Sequence, residues 1–382
     1  MSAAAPRKVH FGGLNTLRFT AALFVVIGHI PLNQSSVGLP APSYGALFFR
    51  GAPAVSFFFT LSGFLITYLL LEERDRAGRI DVRRFYLRRV LRIWPLYFLI
   101  VAFGLAFYNA LLPALGIHYE VRYSIPLAVL LYTFFLPNLM NSLYTVGGIL
   151  NPLWSIGIEE QFYLVWAPAF RRATRRLPWL CFGVFAVFFT VFCLNHYAVF
   201  GNGTAIKFVG QLKFHFMAAG GFCAWWLHED AASLLAKPPF ASRIWQFALL
   251  VLLADYYLTA FIPWGWLLEE LVQVVLYAWL IVDVGANPRA VFKLENRVFD
   301  YLGVISYGIY MMHMIAVYST SALFRRTSWW HGHAVLYCIA YYGCALGLTL
   351  LLAHLSYRYF ETPFLRLKDR RYSTLAPAPG KA

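Results

Sequence analysis

Apolar runs of about 20 residues, the length needed to cross a bilayer, recur along the whole chain and restrict its possible folds. Representative runs cover residues 12–30, 52–71, 93–112, 154–170 and 336–356. Lipid offers no hydrogen-bond partners, so the backbone of each run must satisfy its own groups within a helix. The sequence therefore predicts an all-α fold, a polytopic transmembrane helical bundle.

Composition narrows the class of protein further. Sixty per cent of the residues are apolar and 13% are charged, which excludes a disordered chain and argues against an ordinary soluble domain. The net charge of +15 is typical of arginine-rich loops in a membrane protein, and no nucleic-acid motif is visible, so no nucleic acid partner is predicted. The five cysteines lie in apolar runs without metal-ligand spacing, so we interpret them as packing residues and predict no metal.

Basic residues predict the orientation, because Lys and Arg accumulate in cytoplasmic loops. Arg7 and Lys8 precede the first run, and four basic residues lie between 366 and 371. Both termini are therefore expected in the cytoplasm.

The number of crossings depends on residues 113–170, where two apolar segments occur but the basic residues allow only one crossing. Residues 171–176, RRATRR, form an inside loop, so only one of the two apolar segments between 113 and 170 can cross. The segment 124–139 contains Pro126 and Pro137, which interrupt a helix. We therefore predict about ten spans plus one re-entrant or interfacial segment at 124–139.

The first apolar run contains two ionisable side chains, Arg18 and His29. Ionisable residues inside a span are costly and often mark a pathway or a reaction site. Eleven residues at about 100° each amount to about three turns plus 20°, so both side chains leave one helix face, about 16 Å apart along the axis. Alternatively, Arg18 extends to the near interface and His29 lies among the headgroups.

A basic segment precedes the third run, and most of its arginines are expected to set topology only. Arg88, Arg89 and Arg92 differ because they lie on the first turns of the run, with residues 88 and 92 on a shared face. Clustered guanidinium groups at a membrane mouth suit a phosphate-rich ligand. The alternative is that these three also serve topology.

Two adjacent carboxylates, Glu159 and Glu160, fall in the first two turns of the run 154–170. They are either helix-start residues favoured by the macrodipole or a reactive group facing His29 at the same depth. Tyr163 shares a face with Glu159 and is expected in the same cavity, whereas Glu160 is rotated by about 100° and is expected to make a structural bond.

The segment ISYGIYMMH near the C-terminus places Ser306, Tyr307 and His313 on one helix that starts inside. Together with Tyr163 they are candidate substrate-binding residues. His313 falls in the middle to outer half of its helix, where it either lines the cavity or bonds a neighbouring helix.

The chain resembles the bacterial integral-membrane acyltransferase family 3 through six motifs that occur in the family's order. The motifs are LRFTAALFVVIGH, FFFTLSGFLI, FYLRRVLRIWPLY, LWSIGIEEQFYLV, ISYGIYMMH and ETPF. The resemblance implies a membrane domain over residues 12–365, between a cytoplasmic segment 1–11 and a cytoplasmic tail 366–382. Some members carry a fused esterase-like domain, whereas a standalone membrane domain is expected here.

The resemblance also implies an activity: transfer of an acyl group, expected to be acetyl, from cytoplasmic acyl-CoA to a hydroxyl. The acceptor is expected to be a carbohydrate such as exopolysaccharide, O-antigen or a lipid-linked sugar, and the location the bacterial inner membrane. Expected partners are acyl-CoA, this acceptor, the lipid bilayer and other polysaccharide-assembly proteins. The family's arginine and histidine map to Arg18 and His29, and its acidic residue maps to Glu159. Its basic motif maps to Arg88, Arg89 and Arg92.

These expectations combine into one mechanism. The basic motif binds the phosphates of acyl-CoA, and Arg18 either binds the cofactor or stabilises the oxyanion. His29, held by Glu159, takes the proton of the acceptor hydroxyl as general base. An acyl-histidine intermediate is an open variant.

Two other classes of protein remain possible from the sequence. A polytopic transporter or flippase of a glycan or lipid intermediate also carries buried ionisable residues, although no internal repeat is apparent here. Transport without acyl-CoA consumption would identify it. A non-catalytic scaffold of a polysaccharide-assembly complex would be insensitive to the loss of His29.

Overall fold

The computed structural model describes residues 11–41, 51–201, 203–259, 262, 265–326 and 333–372. Within these ranges the regular structure is entirely helical, as the apolar runs predict. Short π-helical turns extend three of the helices, at Phe107–Leu111, Asp255–Thr259 and Ser356–Glu361. The α-helices are α1 (Leu14–Ser36), α2 (Gly51–Ala77), α3 (Val82–Ala106), α4 (Leu112–Ala114), α5 (Ile125–Thr133), α6 (Pro137–Leu143), α7 (Leu153–Ala173), α8 (Leu177–His196), α9 (Gly203–Gly210), α10 (Phe214–Leu235), α11 (Pro238–Ala241), α12 (Arg243–Ala254), α13 (Trp266–Ala286), α14 (Arg297–Val304), α15 (Ser306–Phe324), α16 (Ala334–Leu355) and α17 (Thr362–Tyr372).

Five helical stretches of the described chain are long and apolar enough to cross a membrane, or six if α14 and α15, bent by 71°, form one span. One of the five, Leu153–His196, has 44 residues and comprises α7 and α8. At about 1.5 Å per residue it is about twice as long as the hydrocarbon core is thick. The chain is therefore an all-helical membrane protein, and the number of about ten crossings stays a prediction.

The helices α2 and α10 approach each other closely through glycines. A Cβ atom on Gly63 would lie 2.0 Å from the backbone oxygen of Met217, and one on Gly220 would lie 1.9 Å from that of Thr60. Small residues permit such backbone contact, which is the main source of helix association in lipid. The Ser62–Gly63 pair thus sits in a tightly packed seam.

The helix α1 runs antiparallel to α2, and this register fixes the depth of the site. A Cβ atom on Gly51, the first residue of α2, would lie 3.8 Å from the Cα atoms of Val25 and Gly28. Ser62 lies eleven residues further along α2, about three turns below Gly51, at the level of Arg18 on α1. The helix α1 also continues through Pro31 to Ser36, beyond the predicted end of the first run at residue 30.

The segment predicted not to cross folds into the short helices α5 and α6, of nine and seven residues. Nine residues rise about 14 Å, less than half of the hydrocarbon core. Between the helices Phe135 adopts a positive φ of 54°, and its carbonyl accepts a hydrogen bond from Gln161 at 2.8 Å. This geometry agrees with a re-entrant or interfacial segment, because neither helix could span alone.

Candidate active site

A cavity of about 160 Å³ lies between α1, α2, α3, α7 and α15. Seven of the ten predicted site residues line it, contributed by four helices that are distant in sequence. They are Arg18, Arg89, Arg92, Glu159, Tyr163, Ser306 and Tyr307.

Arg18 enters this cavity from the first turns of α1. Its Nη1 atom is 3.3 Å from the Oδ1 atom of Asn15, a neutral partner. Its nearest charges include two further cations, Arg89 and Arg92, as well as the Glu159 carboxylate. The positive charge of Arg18 is therefore incompletely balanced by the protein.

Arg89 and Arg92 bring two more guanidinium groups from α3. Arg89 lies 5.7 Å from the ring centre of Phe85 and 5.9 Å from that of Tyr163, which suits a cation over aromatic faces. Its Nε atom is buried without a hydrogen-bond partner. Neither arginine forms an ion pair with any residue in the described part of the chain. Three arginines thus share the cavity with one carboxylate.

Arg88 takes a different position from its two neighbours. It forms a largely buried ion pair of 2.5 Å with Glu73 of α2, and Glu73 also accepts a hydrogen bond from the backbone of Asp81. Arg88 does not line the cavity. The i, i+4 spacing predicted that residues 88 and 92 share a face. In the structure Arg89 and Arg92 face the cavity instead, because Arg88 forms an ion pair with Glu73.

Glu159 is fixed by two neutral donors. The Ser62 hydroxyl donates to one carboxylate oxygen at 3.0 Å, and the Tyr163 hydroxyl donates to the other at 2.9 Å. Tyr163 therefore lies where its i, i+4 spacing from Glu159 placed it. Glu160 points away and accepts a hydrogen bond from the Trp94 indole at 3.0 Å, a structural bond as its rotation predicted.

His29 pairs with the second candidate histidine rather than with a carboxylate. The rings of His29 and His313 are 4.9 Å apart and inclined by 61°. The Nδ1 atom of His29 is 2.8 Å from the carbonyl of Val25, and that of His313 is 2.6 Å from the carbonyl of Tyr310. A carbonyl can only accept, so each Nδ1 atom carries the proton and each Nε2 atom keeps its lone pair. The Nε2 atom of His313 is buried and has no partner among the described residues.

The expected hydrogen bond between Glu159 and His29 does not form, and this part of the prediction is wrong. Ser155, in the first turn of α7, meets Tyr310 at 2.7 Å, near the level of His313. Glu159 lies one turn below Ser155, at the level of Ser62 and Arg18. Glu159 therefore lies more than one helical turn below the histidine pair.

Two more predicted residues and three unpredicted ones complete the lining of the cavity. Ser306 lines the cavity, and the Tyr307 hydroxyl, also at the lining, donates to the carbonyl of Ile93 at 2.8 Å. Ser62, Ser155 and Tyr310 line it as well and were not predicted. For Tyr310 a signal existed, since it lies four residues after Ser306 and so shares its face.

No group of three or more metal-ligating side chains occurs among the residues that the structure describes. The cavity walls offer guanidinium, carboxylate, hydroxyl and ring groups instead.

Comparison with known proteins decides the family. The family model for the type 3 acyltransferase domain matches residues 11–354. The chain belongs to acyltransferase family 3. The match covers nearly all of the predicted membrane domain, whose boundaries stay predictions.

Two curated relatives illustrate the similarity. O-acetyltransferase OatA of Staphylococcus aureus strain NCTC 8325 / PS 47 is 25% identical over 389 residues, which cover 97% of this chain and 59% of the relative. A putative O-acetyltransferase, SACOL0978, of Staphylococcus aureus strain COL is 26% identical over 368 residues, which cover 92% and 57%. This family 3 chain thus spans less than two thirds of the length of the curated relatives it matches. No solved structure matches it.

Proposed function

We propose that this protein is a membrane O-acyltransferase that moves an acyl group, preferentially acetyl, from acyl-CoA on the cytoplasmic side to a hydroxyl of a carbohydrate acceptor. Family membership and the O-acetyltransferase relatives support the class of reaction. The acceptor classes proposed are exopolysaccharide, O-antigen and lipid-linked sugar. The proposed location is the bacterial inner membrane with both termini inside, in contact with other polysaccharide-assembly proteins.

The charge of the cavity is the observation that supports acyl-CoA as the donor. Arg18, Arg89 and Arg92 face a single carboxylate, Glu159, so the lining holds an excess of two positive charges. Uncompensated charge away from water is costly, and an anionic ligand removes that cost. Guanidinium groups bind phosphate in a planar, bidentate geometry. The phosphates of acyl-CoA match this requirement, whereas Arg88 is already neutralised by Glu73.

Arg18 then binds the donor rather than the oxyanion formed at the histidines. Arg18 and His29 are eleven residues apart on one continuous helix, so about 16 Å separates their levels. An oxyanion donor must lie within about 3 Å of the reacting oxygen. The pantetheine arm of acyl-CoA is the part that would extend from the arginines toward His29 and carry the thioester.

The proposed chemistry at His29 is general base catalysis. Its Nε2 atom has a free lone pair because Nδ1 donates to the Val25 carbonyl. The acceptor hydroxyl gives its proton to Nε2 as its oxygen bonds the acyl carbon, and the carbon–sulfur bond then breaks. The proton passes from Nε2 to the departing CoA thiolate, which restores neutral His29. In the acyl-histidine variant the same nitrogen attacks the thioester first.

His313 is proposed to position the acceptor beside His29. Its Nε2 atom is a buried acceptor without a donor, which is costly unless a ligand supplies one. A second hydroxyl of a sugar is such a donor. Glu159, in turn, is proposed to balance charge among the arginines instead of orienting His29.

Surface glycans from cells that lack the gene, complemented with variants, provide the test. Mass spectrometry should find acyl groups restored by the wild-type protein and by the His118→Ala control, since His118 is exposed in a loop. His29→Ala and Arg18→Ala should insert at wild-type levels and restore none. Restored acylation by His29→Ala cells would refute the base assignment, and substrate transport without acyl-CoA consumption would favour a transporter.

A further inference from the structure

A second, larger pocket of about 820 Å³ opens at the arginine-rich end of the bundle, away from the candidate active site. It lies between the ends of α2 and α7 and the last turns of α10. Its charged and aromatic lining consists of Arg74, Arg79, Arg171, Arg175, Trp225 and Glu229.

The positive charge of this pocket is mostly uncompensated. Arg74 contacts Glu229 at 3.0 Å and Asp75 at 2.6 Å, so its charge is neutralised. Arg79 and the two arginines from the α7–α8 junction form no ion pair within the described ranges. The pocket therefore presents three arginines to a ligand.

This pocket and the candidate active site lie on different sides of α2. Leu69 lines the active-site cavity and Arg74 lines the second pocket. Five residues of helix correspond to about 500°, so the two side chains point about 140° apart. The Glu73–Arg88 ion pair closes the α2–α3 side next to Arg74. A ligand in one site therefore binds a different face of α2 from a ligand in the other.

Apolar side chains next to the pocket indicate what kind of anion it takes. Just beyond Arg175 on α8, Trp179 and Phe182 are 73% and 63% exposed, on a helix apolar enough for the bilayer. Trp225 is half-buried at the pocket itself, and tryptophan favours the level of the headgroups. Phosphate at the arginines together with acyl chains along α8 would satisfy both surfaces at once. A free nucleotide would leave the apolar surface unused.

We propose that this pocket binds the headgroup of an anionic phospholipid of the inner leaflet. Basic pockets between transmembrane helices on the cytoplasmic side are suited to such headgroups. The lipid would join α2, α7, α8 and α10 at one end of the bundle. The site does not depend on the proposed acyl transfer.

Native mass spectrometry of the purified full chain tests the site with phosphatidylglycerol and phosphatidylcholine as probes. The wild-type protein should retain phosphatidylglycerol in preference to phosphatidylcholine. Arg171→Gln/Arg175→Gln should weaken phosphatidylglycerol binding about 25-fold, about fivefold for each charge removed near an anionic headgroup. The control Arg83→Gln/Arg366→Gln removes two exposed arginines outside the pocket and should bind as the wild type does.

Three results would overturn the proposal. Equal binding of the two lipids, or unchanged phosphatidylglycerol binding by Arg171→Gln/Arg175→Gln, would show that the arginines serve topology only. Displacement of the lipid by adenosine 3′,5′-bisphosphate, with nucleotide affinity lost in that same variant, would assign the pocket to a nucleotide. Size-exclusion profiles establish that each variant is folded, and the single variant Arg175→Gln, expected to lose about fivefold, provides a milder change.

Discussion

Removing the Arg89 guanidinium should weaken the donor complex and still leave a folded protein. Arg89→Gln deletes a charge that lies over the ring faces of Phe85 and Tyr163 and whose Nε atom has no partner among the described residues. The carboxylate of Glu159 keeps both of its hydrogen bonds, from Ser62 and Tyr163. The substitution therefore leaves Glu159 hydrogen-bonded, and the fold loses about 0.5–2 kcal/mol for each ring contact.

The binding loss follows from the strength of a charged hydrogen bond. A bond between charged groups contributes about 1.5–3 kcal/mol, so the dissociation constant for acetyl-CoA should rise about 10- to 150-fold. Titration calorimetry of the detergent-solubilised protein with acetyl-CoA measures this change. Arg92→Gln should behave similarly, because Arg92 lines the same cavity without an ion pair among the described residues.

The basic segment provides the matched control. Arg83 is exposed on the same helix, six residues before Arg89, so Arg83→Gln removes the same charge from the same end of the bundle. Its acetyl-CoA affinity should equal that of the wild type. Wild-type affinity in Arg89→Gln, or an equal loss in Arg83→Gln, would mean that the cavity does not hold the phosphates and that the arginines act only through the overall field.

Three further predictions concern other parts of the structure. Arg88→Ala leaves the buried Glu73 carboxylate unpaired and should cost about 3–5 kcal/mol of stability, seen as a lower melting temperature with unchanged acetyl-CoA affinity in the folded fraction. Gly63→Leu should prevent assembly of the bundle, because even its Cβ atom would lie 2.0 Å from the Met217 carbonyl; recovery of monodisperse protein would contradict the packing described for α2. His313→Ala should raise the KM for the acceptor and leave the KM for acetyl-CoA unchanged. Steady-state assays that vary one substrate at a time measure the two KM values separately. A change in the acetyl-CoA KM alone would show that His313 does not bind the acceptor.

Helical periodicity predicted the site residues that share one helix. The Glu159–Tyr163 pair and the rotation of Glu160 follow from about 100° per residue, and these side chains lie on the expected faces of α7. Local spacing also explains why Arg88 was misplaced. The choice among three consecutive basic positions depended on Glu73 of another helix, which no periodicity in α3 reveals.

Depth across helices could not be read from the chain. The first residues of α7 were assigned to the outer surface, which put Glu159 level with His29. In the structure α7 is offset along its axis relative to α1. Glu159 therefore reaches the level of Arg18, as its bond to Ser62 on antiparallel α2 demonstrates. The vertical offset between two helices is set by such packing contacts, not by either sequence alone.

The vertical offset between Glu159 and His29 changes the roles proposed for the two levels of the site. Charged side chains cluster around Arg18 and Glu159, whereas the pair of His29 and His313 offers two lone pairs and has no charged partner among the described residues. Both levels are joined by α1, a single helix that fixes their separation at about 16 Å. A donor whose anionic end and reactive end are connected by a long, uncharged arm would match this separation, while a compact anion would reach only the lower level. Under the proposed function, the spacing on α1 would therefore select for the length of the donor, and the residues around the histidines would select the acceptor.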